Sequence, residues 1–217
     1  MAGIAGLIGI AVEGLAFSLA IFGLAVILIA FGFYKIGALV AIFGIAVASF
    51  FRDPDRFPSK TEGVVISGAD GKVTDISEVE MPGEPGVKYH RVSVFMSPLN
   101  VHVNRALVGG EVTRVEHTPG KFRAAFRDGA SQHNERNLMV FKDLAGKHYG
   151  MMQVAGYLAR RIICKLRVHD RIEAGQRIGR LMFGSRVDHF IPSEFHIMVT
   201  LNDRVRAGQS ILAELKQ

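Results

Sequence analysis

The chain has 217 residues, 49% of them apolar, a formal net charge of +6 and one cysteine. This length suits one anchored domain of ordinary size and excludes two large ones, and the lone Cys164, set in the apolar run Ile162-Ile163-Cys164, excludes an internal disulfide and reads as a buried core thiol. Before Arg52 only Glu13 and Lys35 are charged, so the net charge belongs to the remainder. A basic domain beside an apolar segment points to an anionic phospholipid surface, whereas the aromatics do not interleave with the basic residues as a nucleic-acid stacking platform requires.

Residues 14–34 and 36–51 are uncharged. As helices they reach about 30 Å and about 24 Å, so the first is long enough to span a hydrocarbon core and the second is marginal. Together residues 1–51 read as a membrane-anchoring helical hairpin that turns near Lys35 and either crosses twice or dips into one leaflet. Ala46-Val47-Ala48 has the look of a signal cleavage site, but no Lys or Arg precedes the apolar stretch, which favours a retained anchor. Arg52, Arg56 and Lys60 then place the following domain on the cytoplasmic face of the cell membrane. In Phe50-Phe51-Arg52-Asp53-Pro54-Asp55-Arg56-Phe57-Pro58, interfacial aromatics give way to charges and to two prolines that end the helix.

From residue 64 the period changes to that of strands, expected over 64–67, 72–79, 89–96, 111–116, 138–142, 149–155, 161–168 and 195–201. Residues 52–217 therefore read as a mostly β domain of barrel or sandwich type. Within it, Asp170-Arg171-Ile172-Glu173-Ala174-Gly175-Gln176-Arg177-Ile178 recurs 33 residues later as Asp203-Arg204-Val205-Arg206-Ala207-Gly208-Gln209-Ser210-Ile211, with six of nine positions identical. The repeat predicts two equivalent strand-turn-strand corners. They look like the corners of lipoyl- and biotinyl-type barrel-sandwich domains, without the modified lysine of those domains. Between the two copies stands Gly184-Ser185.

A glycine carbonyl followed by a serine hydroxyl is a bond open to attack from within its own chain, although most Gly-Ser pairs are only turns. Asp70 lies in the glycine-flanked turn Gly68-Ala69-Asp70-Gly71, equally readable as a turn aspartate. In Ser97-Pro98-Leu99-Asn100-Val101-His102-Val103-Asn104-Arg105, alternation puts Asn100, His102 and Asn104 on one strand face. Asn134-Glu135-Arg136-Asn137 reads by default as a solvated loop, and Arg160, Arg161 and Lys165 as a phosphate contact or a solvated basic edge. The histidines show no metal-ligand spacing, so no metal is expected.

These motifs together resemble the phosphatidylserine decarboxylase family in its short bacterial and archaeal form. The resemblance is carried by Phe50-Phe51-Arg52-Asp53-Pro54-Asp55-Arg56, Gly68-Ala69-Asp70-Gly71-Lys72-Val73, residues 97–105, Asn134-Glu135-Arg136, Ala159-Arg160-Arg161-Ile162 and Phe183-Gly184-Ser185-Arg186-Val187-Asp188. It implies a proenzyme cut between Gly184 and Ser185 into chains 1–184 and 185–217, which remain together as a heterodimer or in a higher oligomer. Ser185 would become a covalent pyruvoyl cofactor that forms a Schiff base with phosphatidylserine and yields phosphatidylethanolamine. Asp70 and His102 would complete a Ser-His-Asp arrangement with Ser185, His196 being a weaker candidate for the base. Asn104, Arg105, Arg160 and Arg161 would bind the phospholipid. Larger family members carry Gly-Ser-Thr at the cut and a second His three residues after the first; here Arg186 and Arg105 stand in those places. The alternatives are another serine phospholipid of archaetidylserine type as substrate, or a non-catalytic membrane-tethered adaptor.

Overall fold

In the computed structural model, the structure describes residues 12–121, 133–156, 162–181 and 185–216. The chain divides into two compact units, Met1–Asp55 and Arg56–Gln217. The first holds two helices, α1 (Val12–Ala30) and α2 (Tyr34–Phe50). Their turn lies at residues 31–33, just ahead of Lys35. Gly32 takes a φ of +85°, its N–H bonds the Ile29 carbonyl and the Phe33 N–H bonds the Leu28 carbonyl, which is a left-handed glycine closure of a helix end. Glycines let the helices approach closely: a Cβ on Gly37 would stand 2.5 Å from Ile29. Leu19, Val26, Leu39 and Phe43 are each more than 60% exposed. Among the described residues no helix is long and apolar enough to cross a membrane.

The second unit is mostly β. Strands β1 (Val64–Ile66), β2 (Gly71–Glu80), β3 (Lys88–Met96), β4 (Val103–Arg105), β5 (Gly110–Thr118), β6 (Arg136–Lys142) and β7 (His148–Val154) come first. They are followed by β8 (Ile162–Cys164), β9 (Arg171–Ile172), β10 (Arg177–Leu181), β11 (Ser185–Pro192), β12 (Phe195–Ile197), β13 (Arg204–Val205) and β14 (Ile211–Leu215). An eight-stranded sheet runs β13-β2-β3-β11-β7-β6-β5-β9, and two three-stranded sheets run β1-β14-β12 and β4-β10-β8. One face of the large sheet buries Val92, Val94, Met96, Met139, Phe141, Met151, Val187 and Ile191 together with Ile178 and Leu212 from the small sheets and Leu107 from the segment after β4. The opposite face buries Leu138, Val140, Met152 and Phe190. Alternate residues of β6, β7 and β11 thus enter different cores, as the two-residue period of a strand requires.

The repeated corners are β9 to β10 and β13 to β14, and they match in backbone detail. Gly175 and Gly208 have φ of +80° and +74°, and His169 and Asn202, also 33 residues apart, have φ of +74° and +76°. Asp170 accepts from the Arg167 N–H at 2.7 Å, as Asp203 does from the Thr200 N–H at 2.7 Å. The duplication extends further than the sequence repeat, because each corner docks on partners that are themselves 39 residues apart. The Gly175 N–H bonds Ala106 and the Gly208 N–H bonds Ser67; the His169 N–H bonds Val112 and the Asn202 N–H bonds Val73. Register breaks recur at Val73/Asp75 and Val112/Arg114. A Cβ on Gly71 or on Gly110 would lie 2.1 Å from a carbonyl oxygen of the neighbouring strand, so both positions exclude side chains. Strands β1, β2, β13 and β14 therefore form one half, and β4, β5, β9 and β10 its duplicate.

Candidate functional site

Ser185 opens β11, the strand between β3 and β7 in the large sheet, in a segment for which no strand is expected from the sequence. It is fully buried, opposite Met96, and its hydroxyl donates to the Met96 sulfur at 3.7 Å. Gly184, Arg160 and Arg161 lie outside the described residues.

His102 is also buried. Its Nδ1 lies 2.9 Å from the Asn100 carbonyl, which can only accept, so Nδ1 carries the hydrogen and in the neutral ring the lone pair falls on Nε2. Its backbone carbonyl accepts from the Leu181 N–H at 3.2 Å, which ties His102 to the segment leading into Ser185. Asn100 does not share its face as alternation predicts. Its side chain accepts from the Ser97 N–H and hydroxyl, both at 2.8 Å, and so caps a turn ahead of β4.

Asp70 stands just before β2, which β3 separates from the Ser185 strand β11. Its carboxylate takes a two-pronged ion pair from Arg56, with Nη2 to Oδ2 at 2.9 Å, and accepts the Ala207 N–H at 2.8 Å. Ser185, His102 and Asp70 thus each have a different first partner. His196 is exposed on β12 of a small sheet, opposite Glu214, so the structure does not bring it to the buried serine of the large sheet.

Asn104 is the candidate most closely joined to Ser185. Its Nδ2 donates to the Gly68 carbonyl at 3.3 Å and approaches the same Met96 sulfur at 3.8 Å. Arg105 is buried, donates from Nη1 to the Gly175 carbonyl at 3.0 Å and lines a cleft of about 1590 Å³ with Arg56, Arg171 and Arg177. Ser185 does not line that cleft. Among the described residues no cluster of His, Cys, Asp or Glu could hold a metal.

Several buried polar groups escape a sequence reading. Asp188 is fully buried, accepting from the Ser93 hydroxyl at 2.7 Å and from Arg186 Nη2 at 3.0 Å. His189, equally buried, donates from Nδ1 to the Val92 carbonyl at 2.9 Å and accepts the Gly68 N–H on Nε2 at 3.0 Å. Burial pushes its pKa down to about 4, against smaller upward effects of the Val92 bond and of Asp188. Asn134 and Asn137 are buried rather than solvated, Asn134 donating to the Ala155 carbonyl at 2.8 Å. Cys164 is only half-buried, its thiol 3.7 Å from the Met139 sulfur.

The site thus lies in an internally duplicated β domain, with a buried serine at the head of a central strand and a buried histidine, His102, whose backbone carbonyl is held by Leu181, four residues before that serine. The family profile of phosphatidylserine decarboxylase matches residues 43–213. Proteins named phosphatidylserine decarboxylase proenzyme are similar over most of their length. That of Anaplasma phagocytophilum is 44% identical over 183 residues, covering 84% of this chain and 81% of its own. That of Syntrophus aciditrophicus is 41% identical over 208 residues, covering 94% and 96%. The chain belongs to the phosphatidylserine decarboxylase family.

Proposed function

We propose that this chain is a proenzyme that cuts itself between Gly184 and Ser185 and then decarboxylates phosphatidylserine to phosphatidylethanolamine at the cytoplasmic face of the cell membrane. The observation that carries the reading is the placement of Ser185. Residues 185–192 pair in register with β3 and 186–190 with β7, and β12, β13 and β14 pair with β14, β2 and β1. A cut before Ser185 would leave the fragment 185–217 woven into the large sheet and the β1-β14-β12 sheet, with its new first residue still buried. The two products would remain one body.

In self-cleavage the Ser185 oxygen bonds to the Gly184 carbonyl carbon and the peptide C–N bond breaks, giving an ester and a free amine. Loss of the Ser185 Cα proton expels the Gly184 carboxylate and leaves a Cα=Cβ bond; water then replaces the amine nitrogen, which leaves as ammonia. His102, with its lone pair on Nε2, is the base for both protons. Asp70 is the acid proposed for this set, a buried carboxylate whose negative charge Arg56 balances.

The residue at 185 fits a pyruvoyl group: it is a serine, the product is no larger than the side chain it replaces, and the site is fully buried. Such a group supplies an imine-forming ketone and an adjacent carbonyl that takes up electrons as carbon dioxide leaves. Asn104 and Arg105, with Arg160 and Arg161, are the residues for the lipid phosphate. The exposed apolar residues of the hairpin support its role as a lipid anchor, crossing the bilayer or dipping into one leaflet.

Mass spectrometry of the purified chain tests this. The reading expects a fragment ending at Gly184 and one of residues 185–217 lacking a free amine, and formation of ethanolamine lipid from phosphatidylserine vesicles. Ser185→Ala should yield one uncut, inactive chain. A single uncut wild-type chain with full decarboxylase activity would end the proposal, and turnover of a different serine lipid alone would move the substrate.

A further inference from the structure

Three amide side chains cross the inner face of the large sheet toward Ser185. Asn137 of β6 donates from Nδ2 to the Gln153 Oε1 at 3.2 Å, and Gln153 of β7 donates from Nε2 to the Asn104 Oδ1 at 2.8 Å. Asn104 then donates from Nδ2 to the Gly68 carbonyl and toward the Met96 sulfur, which also receives the Ser185 hydroxyl. Asn137 and Gln153 are register partners, and all three are at most 2% exposed. Their neighbours on this face are Met139 and Met151, so three amides stand where apolar side chains would close the core more simply.

The direction of the chain is fixed from one end. A backbone carbonyl can only accept, so at Gly68 the Asn104 amide must present nitrogen. Its oxygen then faces β7, where Gln153 must present nitrogen, and the Gln153 oxygen must meet nitrogen from Asn137. A reversal anywhere would set two acceptors or two donors face to face within the buried core.

We propose that Gln153 and Asn137 are positioning residues for the chemistry at Ser185. They hold Asn104 so that its amide turns N–H groups, and never its oxygen, toward the Met96 and Ser185 side. A fixed donor there favours the negative charge that develops on oxygen beside Ser185 during self-cleavage. This inference rests on the self-cleavage reading above.

Gln153→Glu discriminates it from a packing role. An ionised carboxylate cannot donate to the Asn104 oxygen, so it drives Asn104 to turn over; the protonated acid has one donor and one acceptor and restores the pattern. The full chain made by cell-free synthesis should be followed for appearance of the 185–217 fragment from pH 5 to pH 9. Relative to wild type, Gln153→Glu should cleave about tenfold or more slowly at pH 9, the order of loss of an oriented donor, and recover as pH falls. Burial raises a glutamate pKa, so recovery should begin near neutrality. Gln153→Met, which fills the space without a polar pattern, should be slow at every pH. Wild-type rates in Gln153→Met, or a Gln153→Glu ratio flat in pH, would overturn the inference. Absence of cleavage in wild type would instead overturn the self-cleavage reading.

Discussion

Replacing His189 by glutamine separates the electrostatics of the buried centre from its packing. The imidazole is fully buried between the Gly68 N–H and the Val92 carbonyl, and its pKa lies at about 4 against an ordinary 6.5. The unfolded chain therefore binds a proton at a pH where the folded chain does not. Stability is full above pH 6.5 and is lost as pH falls toward 4, in total about 3 kcal/mol at 1.36 kcal/mol per unit. Between pH 7.5 and pH 5.0 the loss is about 2 kcal/mol by the same linkage. Glutamine reproduces the Nε2 position, where its oxygen can accept from the Gly68 N–H, and does not titrate. Urea unfolding followed by strand circular dichroism, with Ser185→Ala in both chains to hold them uncut, should show wild type losing about 2 kcal/mol more than His189→Gln over that interval. Equal losses would mean that the imidazole is protonated in the folded state or reached by water, and the argument from burial would fail.

The remaining expectations concern the duplicated corners and the Asp70 pair. Gly71→Ala should cost about 3 kcal/mol, because its Cβ would meet the Phe95 carbonyl oxygen at 2.1 Å, whereas Gly109→Ala, with nothing nearer than 3.6 Å, should leave the unfolding midpoint within about 0.5 kcal/mol of wild type. Arg56→Met alone should destabilise by about 3 kcal/mol by leaving the Asp70 carboxylate buried without its cation. Asp70→Gly with Arg56→Met should regain most of that stability and still fail to cleave; normal fragment release in the double variant would reduce Asp70 to a turn residue.

Much of the β domain is legible because its strands obey the period of a half-buried sheet. The expected strands over 72–79, 89–96, 111–116, 138–142 and 149–155 coincide with β2, β3, β5, β6 and β7 to within a few residues. The decisive strand β11 is not legible in the same way. It is buried on both faces, so it has no polar side to alternate with, and its charges hide inside the fold: Arg186 pairs with Asp188 two residues on, and Asp188 takes the Ser93 hydroxyl. Charge at 186 and 188 reads as solvent exposure unless the partner is known. The same failure makes Asn134 and Asn137 look like loop, since burial of an amide depends on partners from other strands, here Ala155 and Gln153. At the hairpin Lys35 marks the turn to within a few residues, and Gly32 supplies its backbone conformation.

The duplication offers a control within one molecule for what belongs to the fold and what belongs to the site. Features needed to close a corner recur in both halves: the positive φ of Gly175 and Gly208, the caps of Asp170 and Asp203, and the bare Cα of Gly71 and Gly110. At the same 39-residue offset, Asp70 corresponds to Gly109, His102 to Gly63, Asn104 to Val65 and Arg105 to Ile66. Gly109 lies 3.6 Å, measured from its ideal Cβ, from the Ala174 N–H, the counterpart of the Ala207 N–H that Asp70 caps. One half therefore closes the corner without a carboxylate, which removes the simplest structural reason for Asp70 in the other. The polar candidates are the positions at which the two halves part company, and a buried charge or amide that the duplicate does without needs a reason other than folding.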